Sequence, residues 1–302
     1  MIDYVFIISA VVCFAAQFAF TKLYEGAAGQ SSTSSLVMLV GTSLVGAMIF
    51  FIAGGFSVEF SPISLIWGAV FAVIMIPYYM IGIKVLSLGS LAVYSMFMML
   101  GGMLVPFFYG IIFLSEEISI GKIAGTVLLT VFIVLQALWQ GEPKEKSAGK
   151  GKKYLFFALC LVIFFINGMT GVVAKAHSIS AGAVSETSFT AIYCAMTSLL
   201  SLTILLLTLT KNGKSKLGVI KKAVSPKPIL IMVLLGAAAY GGNFLQLLAA
   251  DKVPASVQFP LVSGGVIVLS ALVSLLFFKE KISKKEWISV AGAFVSTFLF
   301  AF

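Results

Sequence analysis

Eleven carboxylates, one histidine and three cysteines are the side chains best suited to acid–base, nucleophilic or metal chemistry in this sequence. Asp3, Glu25, Glu59, Glu116, Glu117, Glu142, Glu145, Glu186, Asp251, Glu280 and Glu286 all stand at the edges of apolar runs or between them. Cys13, Cys160 and Cys194 lie inside apolar runs, without metal-ligand spacing and without a base in sequence reach, and read as small packing residues. His177 follows an apolar run beside Lys175, where a solvated loop position is expected; the alternative is a group that titrates near neutral pH and biases an outer gate. Catalysis needs a nucleophile held against a base, or a ligand set for a metal, and neither constellation occurs. The expectation is no enzyme, no metal and no cofactor.

The polar groups left inside the apolar runs are uncharged: Gln17, Tyr78, Tyr79, Tyr94, Asn167, Tyr240, Asn243, Gln246 and Gln258. Their amides and hydroxyls can orient a small ligand by hydrogen bonding. Tyr240, Asn243 and Gln246 recur every three residues and are expected on one helix face. The competing role is hydrogen bonding between helices, which contributes about 0.6 kcal/mol on average in membranes. A fixed charge at the bilayer centre costs roughly 2.5–3.5 kcal/mol and is retained for function. A charge-free interior therefore predicts a neutral, zwitterionic or amphipathic cargo.

The elements that must position these groups follow from composition. The 302 residues are 60% hydrophobic and 10% charged, with a mean hydropathy of +1.12, whereas soluble domains carry about 25% charged residues. A bilayer demands apolar helices of roughly 20 residues. Such runs occur near Tyr4–Thr21, Ser35–Phe56, Ile63–Leu86, Leu91–Leu114, Ile120–Trp139, Tyr154–Ala174, Ser188–Thr210, Ile229–Ala250, Ala255–Phe278 and Trp287–Phe302. They are apolar on every face, unlike the alternating strands of a membrane barrel. The predicted fold class is an all-α integral membrane protein of about ten transmembrane helices. The first run lacks a basic flank and is expected to be a retained helix. Tyr4, Tyr154 and Trp287, near run ends, suit interfacial anchoring.

A polar, lysine-rich stretch at 140–153 divides the chain into 1–139 and 154–302. The two parts resemble each other. Lys22, Gly29, Ser32 and Ser35 recur as Lys175, Gly182, Ser185 and Ser188. Ala92 through Gly101-Gly102 aligns with Ala255 through Gly264-Gly265, and Phe113-Leu-Ser-Glu-Glu-Ile-Ser119 with Phe277-Phe-Lys-Glu-Lys-Ile-Ser283. A duplicated five-helix unit must insert its second copy from the opposite side, because five is odd; this produces inverted repeats of the kind transporters use. The paired glycines permit tight crossings. Pro77, Pro106 and Pro260 each remove a backbone donor and mark kinks or hinges.

Loops assigned alternately to two sides place Lys122, Lys175 and Lys252 with the termini and every other lysine opposite. The positive-inside rule then puts the 140–153 linker in the cytoplasm and both termini outside the cytoplasmic membrane. The net charge of +9 reflects these loops, not a nucleic-acid surface, so the expected partners are a small-molecule substrate and the lipid bilayer, with no nucleic acid. The oligomeric state is left open, and a monomer is compatible with the pattern.

Two five-helix halves, a lysine closing the first helix of each (Lys22, Lys175), and the motifs Leu114-Ser-Glu-Glu-Ile-Ser119 and Phe278-Lys-Glu-Lys-Ile-Ser283 resemble the EamA-like branch of the drug/metabolite transporter superfamily. Asp251-Lys-Val-Pro-Ala-Ser256 resembles the short turn before that family's penultimate helix, with Leu88-Gly-Ser-Leu-Ala92 as its weaker partner. The resemblance implies a ten-helix carrier with a cavity between its halves, lined by the first, third, fourth, sixth, eighth and ninth helices. Family cargoes range from amino acids to sugars, nucleotide sugars and drugs. Small multidrug members carry a carboxylate in their first helix; the run Tyr4–Thr21 has none, which disfavours proton-coupled export of cationic drugs. The expected function is secondary transport of a small organic metabolite, with export preferred, and a membrane scaffold or lipid-handling subunit as the alternative.

Overall fold

The structure is a computed structural model that describes residues 2–115, 119–139, 150–250, 253 and 255–299. The described residues form helices without strands: α1 Ile2–Ala28, α2 Ser32–Ala53, α3 Pro62–Leu88, α4 Leu91–Leu114, α5 Ile120–Trp139, α6 Lys150–Ser178, α7 Glu186–Ala223, α8 Pro226–Ala250, α9 Ala255–Leu276 and α10 Lys284–Leu299. Glu116, Glu117, Glu142, Glu145, Asp251, Lys252, Pro254 and most of the central linker lie outside the described residues.

Among the described residues, seven helices are long and apolar enough to cross a membrane: α1, α2, α3, α4, α8 and the apolar parts of α6 and α7. Shorter apolar stretches occupy Ile120–Phe132 and Leu261–Leu276. Large apolar side chains stay exposed in mid-helix, among them Ile8, Leu44, Val73, Phe165, Leu199 and Leu207. Water would not tolerate so extensive an apolar surface, whereas lipid is its natural solvent.

Serines start many of the helices by accepting the first free backbone N–H groups. Ser31 Oγ accepts from Ser34 N at 3.1 Å, Ser90 from Ala92 N at 3.2 Å, Ser119 from Lys122 N at 3.2 Å and Ser185 from Ser188 N at 3.4 Å. Before α10, Ser283 and Glu286 form a reciprocal capping box, Glu286 N to Ser283 Oγ at 3.2 Å and Ser283 N to Glu286 Oε2 at 2.6 Å.

Contacts divide the chain into two compact units, neither of which matches a sequence half. One comprises residues 1–19, 88–171 and 242–302, the other 20–87 and 172–241. Both draw on both halves, and α1, α6 and α8 contribute to each.

In the 20–87/172–241 unit, α2 packs along α7. Ser198 Oγ donates to Val40 O at 3.1 Å, while Gly54, just past α2, lies near Thr187 at the start of α7. Rising numbers on one helix meet falling numbers on the other, so the two run antiparallel. α8 crosses α2 closely: a Cβ on Gly46 would sit 2.6 Å from the Tyr240 ring, and one on Gly236 2.8 Å from Val45 Cβ. On the other side of α7, Phe71 of α3 stacks on Tyr193 with centroids 3.9 Å apart.

In the other unit α4 packs on α9, and α10 on α5 and α9. Ser95 and Ser270 hydroxyls meet at 2.5 Å, and Glu280, beyond the end of α9, reaches the first turn of α4, so α4 and α9 are also antiparallel. α6 presses on α4 where Gly101 and Gly168 leave room: a Cβ on Gly101 would lie 2.1 Å from Phe164 O, and one on Gly168 2.3 Å from Val105 Cβ. Gly265 admits Val11 of α1, and Gly264 admits Thr297 and Phe294 of α10. Pro77, Pro106 and Pro260 lie inside α3, α4 and α9.

Two sequence expectations change here. α7 does not stop at Thr210 but continues as helix through the basic segment to Ala223, because lysine is a good helix former once free of the need to be apolar. The serine correspondence shifts by one residue: the caps are Ser31 and Ser185, reached from Gly29 and Gly182 through connections that differ by one residue.

Candidate functional site

A buried polar cluster in the 20–87/172–241 unit gathers side chains from four helices. Thr42 (α2), Tyr79 (α3), Cys194 (α7) and Tyr240 (α8) are all buried. Thr42 Oγ1 lies 3.4 Å from the Tyr79 hydroxyl, and its proton also faces Met38 O at 2.8 Å. Cys194 is hydrogen-bonded with Tyr240. Tyr78 packs obliquely on Tyr79, their centroids 5.3 Å apart.

Four hydroxyls in the same unit are buried without a hydrogen-bond partner among the described residues: Thr33 Oγ1 and Ser34 Oγ in the first turn of α2, Ser43 Oγ further along α2, and Ser201 Oγ on α7; the last two flank the contact between the helices. Each of these two stands three residues beyond the Val40–Ser198 contact on its own helix, in opposite directions because the helices are antiparallel. A buried hydroxyl left unpaired costs about 1–3 kcal/mol. The seam thus offers unused hydrogen-bonding capacity and no formal charge, a combination that suits a neutral polar ligand.

The remaining sequence candidates fall in the other unit. Asn167 is half-buried, and its Nδ2 donates to Met98 O of α4 at 2.7 Å. This contact joins two helices, and Gly102 leaves the space the amide occupies. Gln258 is buried and its Nε2 donates to Gln246 O at 2.6 Å, tying the start of α9 to α8. Tyr94 is buried with its ring edge-on to Phe18 at 5.7 Å. Gln17 is half-buried, and Asn243 is exposed.

The expectation of one common face for Tyr240, Asn243 and Gln246 does not hold. Steps of three residues at 100° each drift by about 60°, so the three spread over roughly a third of a turn. Accordingly Tyr240 is buried, Asn243 exposed and Gln246 half-buried. Tyr79 and Tyr240 come together in one unit; Asn167, Gln246 and Gln258 belong to the other. Sequence reasoning passed over Thr42, Ser43, Cys194 and Ser201, since small polar residues are ordinary in helix packing and nothing in their spacing marks them.

His177 corrects a further expectation. It is no solvated loop residue but lies in the last turn of α6, 1% exposed, with Nε2 2.9 Å from Ser64 Oγ and its ring stacked on Phe189 at 3.7 Å. A lone imidazole at a helix end gives no sign in sequence of the aromatic ring that will cover it. No group of three His, Cys, Asp or Glu that could hold a metal occurs among the described residues.

No family model matches the sequence, and no curated protein does. Solved structures do. One, titled only "Crystal structure of protein", is similar over 99% of this chain and 96% of its own, with a TM-score of 0.53 at 15% identity. At that identity the likeness concerns the fold alone. Fold and surface together define the class: a multi-pass α-helical membrane protein.

Proposed function

We propose that this protein is a secondary transporter of a small neutral, zwitterionic or amphipathic organic metabolite, an EamA-like member of the drug/metabolite transporter superfamily working by alternating access. The observation that carries the proposal is the pairing of helices. α2 packs on α7, α4 on α9 and α5 on α10, each helix on the one five places later, and the first two pairs are antiparallel. That is an arrangement expected of a duplicated, oppositely inserted five-helix unit.

Backbone landmarks support the same reading. Gly29 and Gly182, at matching positions of the two halves, both have positive φ, 93° and 80°. Ser115 and Lys279, matched by the second motif, are left-handed at 53° and 51°, unusual for residues with a Cβ. Ser119 and Ser283 cap the helices that follow. Inverted repeats give one chain two equivalent packings that open to opposite sides.

Loop contacts support the alternating assignment of loops to two sides, while the lysine distribution favours the side bearing the 140–153 linker as the cytoplasm. Glu59 meets Ser185 and Ser188, joining two loops assigned outside. Glu280 meets Ser90, joining two assigned inside. An error of one span would have paired loops from opposite sides. The uncharged polar seam at Thr42, Ser43, Tyr79, Cys194, Ser201 and Tyr240 favours a cargo without a fixed net charge.

The test is flux. Purified protein in liposomes is expected to move one or more of a panel of amino acids, sugars and uncharged or zwitterionic amphipathic drugs faster than protein-free vesicles. A panel member that binds but is never moved, with no flux of any other, would contradict the proposal.

A further inference from the structure

The helix α7 is far longer than a membrane crossing. Its apolar part, Glu186–Thr210, numbers 25 residues, or about 37 Å at 1.5 Å per residue, already longer than the roughly 30 Å hydrocarbon layer. Yet the helix runs on without a break to Ala223, adding about 20 Å beyond the apolar stretch. Here lie Lys211, Lys214, Lys216, Lys221 and Lys222, followed by Lys227, and no acidic residue occurs between Glu186 and Asp251.

Helical geometry sorts these residues. At 100° per residue the positions of Lys211, Lys214, Lys221 and Lys222 fall within one arc of about 100°, with Ser215 and Gly218 beside or between them. Ile220 and Ala223 stand on the opposite side, with the half-buried Lys216 between them, so four of the five lysine positions share the open face. Burial follows the same division: Ala223 is fully buried and Val219 and Ile220 are half-buried, whereas Gly218, Lys221 and Lys222 are exposed. Nothing lies within 4 Å of where a Gly218 Cβ would be, so the middle of the basic face is open. Leu217, at the edge of the arc, exposes its side chain.

A solvated tail would need no such sorting. Lys222 Nζ lies 4.0 Å from where a Gly29 Cβ would be, which keeps the end of α7 beside the turn between α1 and α2. A helix buried along one side, with four lysine positions on the other and continuing a membrane-spanning segment, is thereby placed to meet phospholipid headgroups. We infer that residues 211–223 form a cationic binding face for the phosphates of anionic phospholipids in the adjoining leaflet, which fixes the end of α7 at the membrane surface. Lysines at that depth attract anionic lipid while leaving zwitterionic lipid little favoured. The inference is independent of what the protein carries; it rests on the membrane fold alone.

The test uses the full chain in detergent, with thermal unfolding followed as phosphatidylglycerol, phosphatidylcholine or inorganic phosphate is added. Phosphatidylglycerol is expected to raise Tm, with half-effect at least about tenfold below that of phosphatidylcholine, and 1 M salt to erase the difference by screening. Replacing Lys211, Lys214, Lys221 and Lys222 with Gln is expected to abolish the preference, and Arg at the same positions to retain it. If the fourfold Gln protein does not fold, K221Q/K222Q is expected to weaken the preference severalfold. Equal responses to the two lipids, full replacement of the effect by inorganic phosphate, or an equal loss on changing Lys279, Lys281, Lys284 and Lys285 to Gln would each overturn the assignment.

Discussion

The Nε2 of His177 lies 2.9 Å from Oγ of Ser64, and that hydroxyl already accepts hydrogen bonds from Ser61 Oγ at 2.8 Å and Val184 N at 3.2 Å. With both lone pairs engaged, the Ser64 proton has one direction left, toward the imidazole, so His177 accepts at Nε2. One hydroxyl thus joins the end of α6, the start of α3 and the loop before α7. His177→Ala and Ser64→Ala are each expected to lower unfolding free energy by about 1–3 kcal/mol, and the double variant by clearly less than their sum. Additive losses in a double-mutant cycle would show that the pair is uncoupled.

Glu280 is the counterpart at the start of α4. Its Oε2 accepts from Leu91 N at 3.0 Å and Ser90 Oγ at 3.3 Å, and Ser274 Oγ also donates to it. A carboxylate at a helix N-terminus benefits from both charge-assisted bonds and the helix dipole. Glu280→Gln keeps the shape and removes the charge; a loss of about 1–2 kcal/mol is expected in thermal or denaturant unfolding. No change in Tm would mean that the anchor contributes only geometry.

Glycines separate into those that must be glycine and those that need not be. A Cβ on Gly101 would collide with Phe164 O, whereas Gly241 has nothing within 4 Å. Gly101→Ala is expected to destabilise by about 1–3 kcal/mol through forced separation of α4 and α6. Gly241→Ala is expected to be neutral or to stabilise by up to about 1 kcal/mol through helix propensity. Paired thermal-shift measurements of the two variants decide the point, and a reversed order would refute the close crossing.

Ser43 and Ser201 yield a prediction whose sign differs between empty and loaded protein. Removing an unpaired buried hydroxyl removes its desolvation cost. Ser43→Ala and Ser201→Ala are therefore expected to raise the stability of cargo-free protein by up to about 1 kcal/mol. If the seam binds cargo, both also raise KM for it. Destabilisation by both variants without any change in KM would reduce the seam to packing.

Much of the fold was legible because a bilayer makes strict demands on sequence. The ends of α4 at Leu91 and Leu114, and the start of α5 at Ile120, agree with the sequence reading residue for residue, since Ser90, Ser115 and Ser119 punctuate continuous apolar runs. Gly29 and Gly182 announced matching turns. The ends of α6 and α7 were set short because a lysine was taken as the end of a helix when it marked only the edge of the apolar part. The site was less legible. Thr42, Ser43 and Ser201 acquire meaning only from antiparallel α2 and α7, a tertiary fact. Asn167, conspicuous in sequence, is held by Met98 O. His177 lost its expected solvent to Phe189, a residue with no sequence signal connecting the two.

The duplicated, oppositely inserted unit is tested most directly by which side of the membrane its two matching turns occupy. Ser32, just after Gly29, and Ala181, just before Gly182, are both exposed and can each be changed to Cys in a protein whose Cys13, Cys160 and Cys194 have been replaced with Ala. A membrane-impermeant thiol reagent applied to intact cells is expected to label position 181 at once and position 32 only after permeabilisation. Labelling of both positions from the same side would contradict the account.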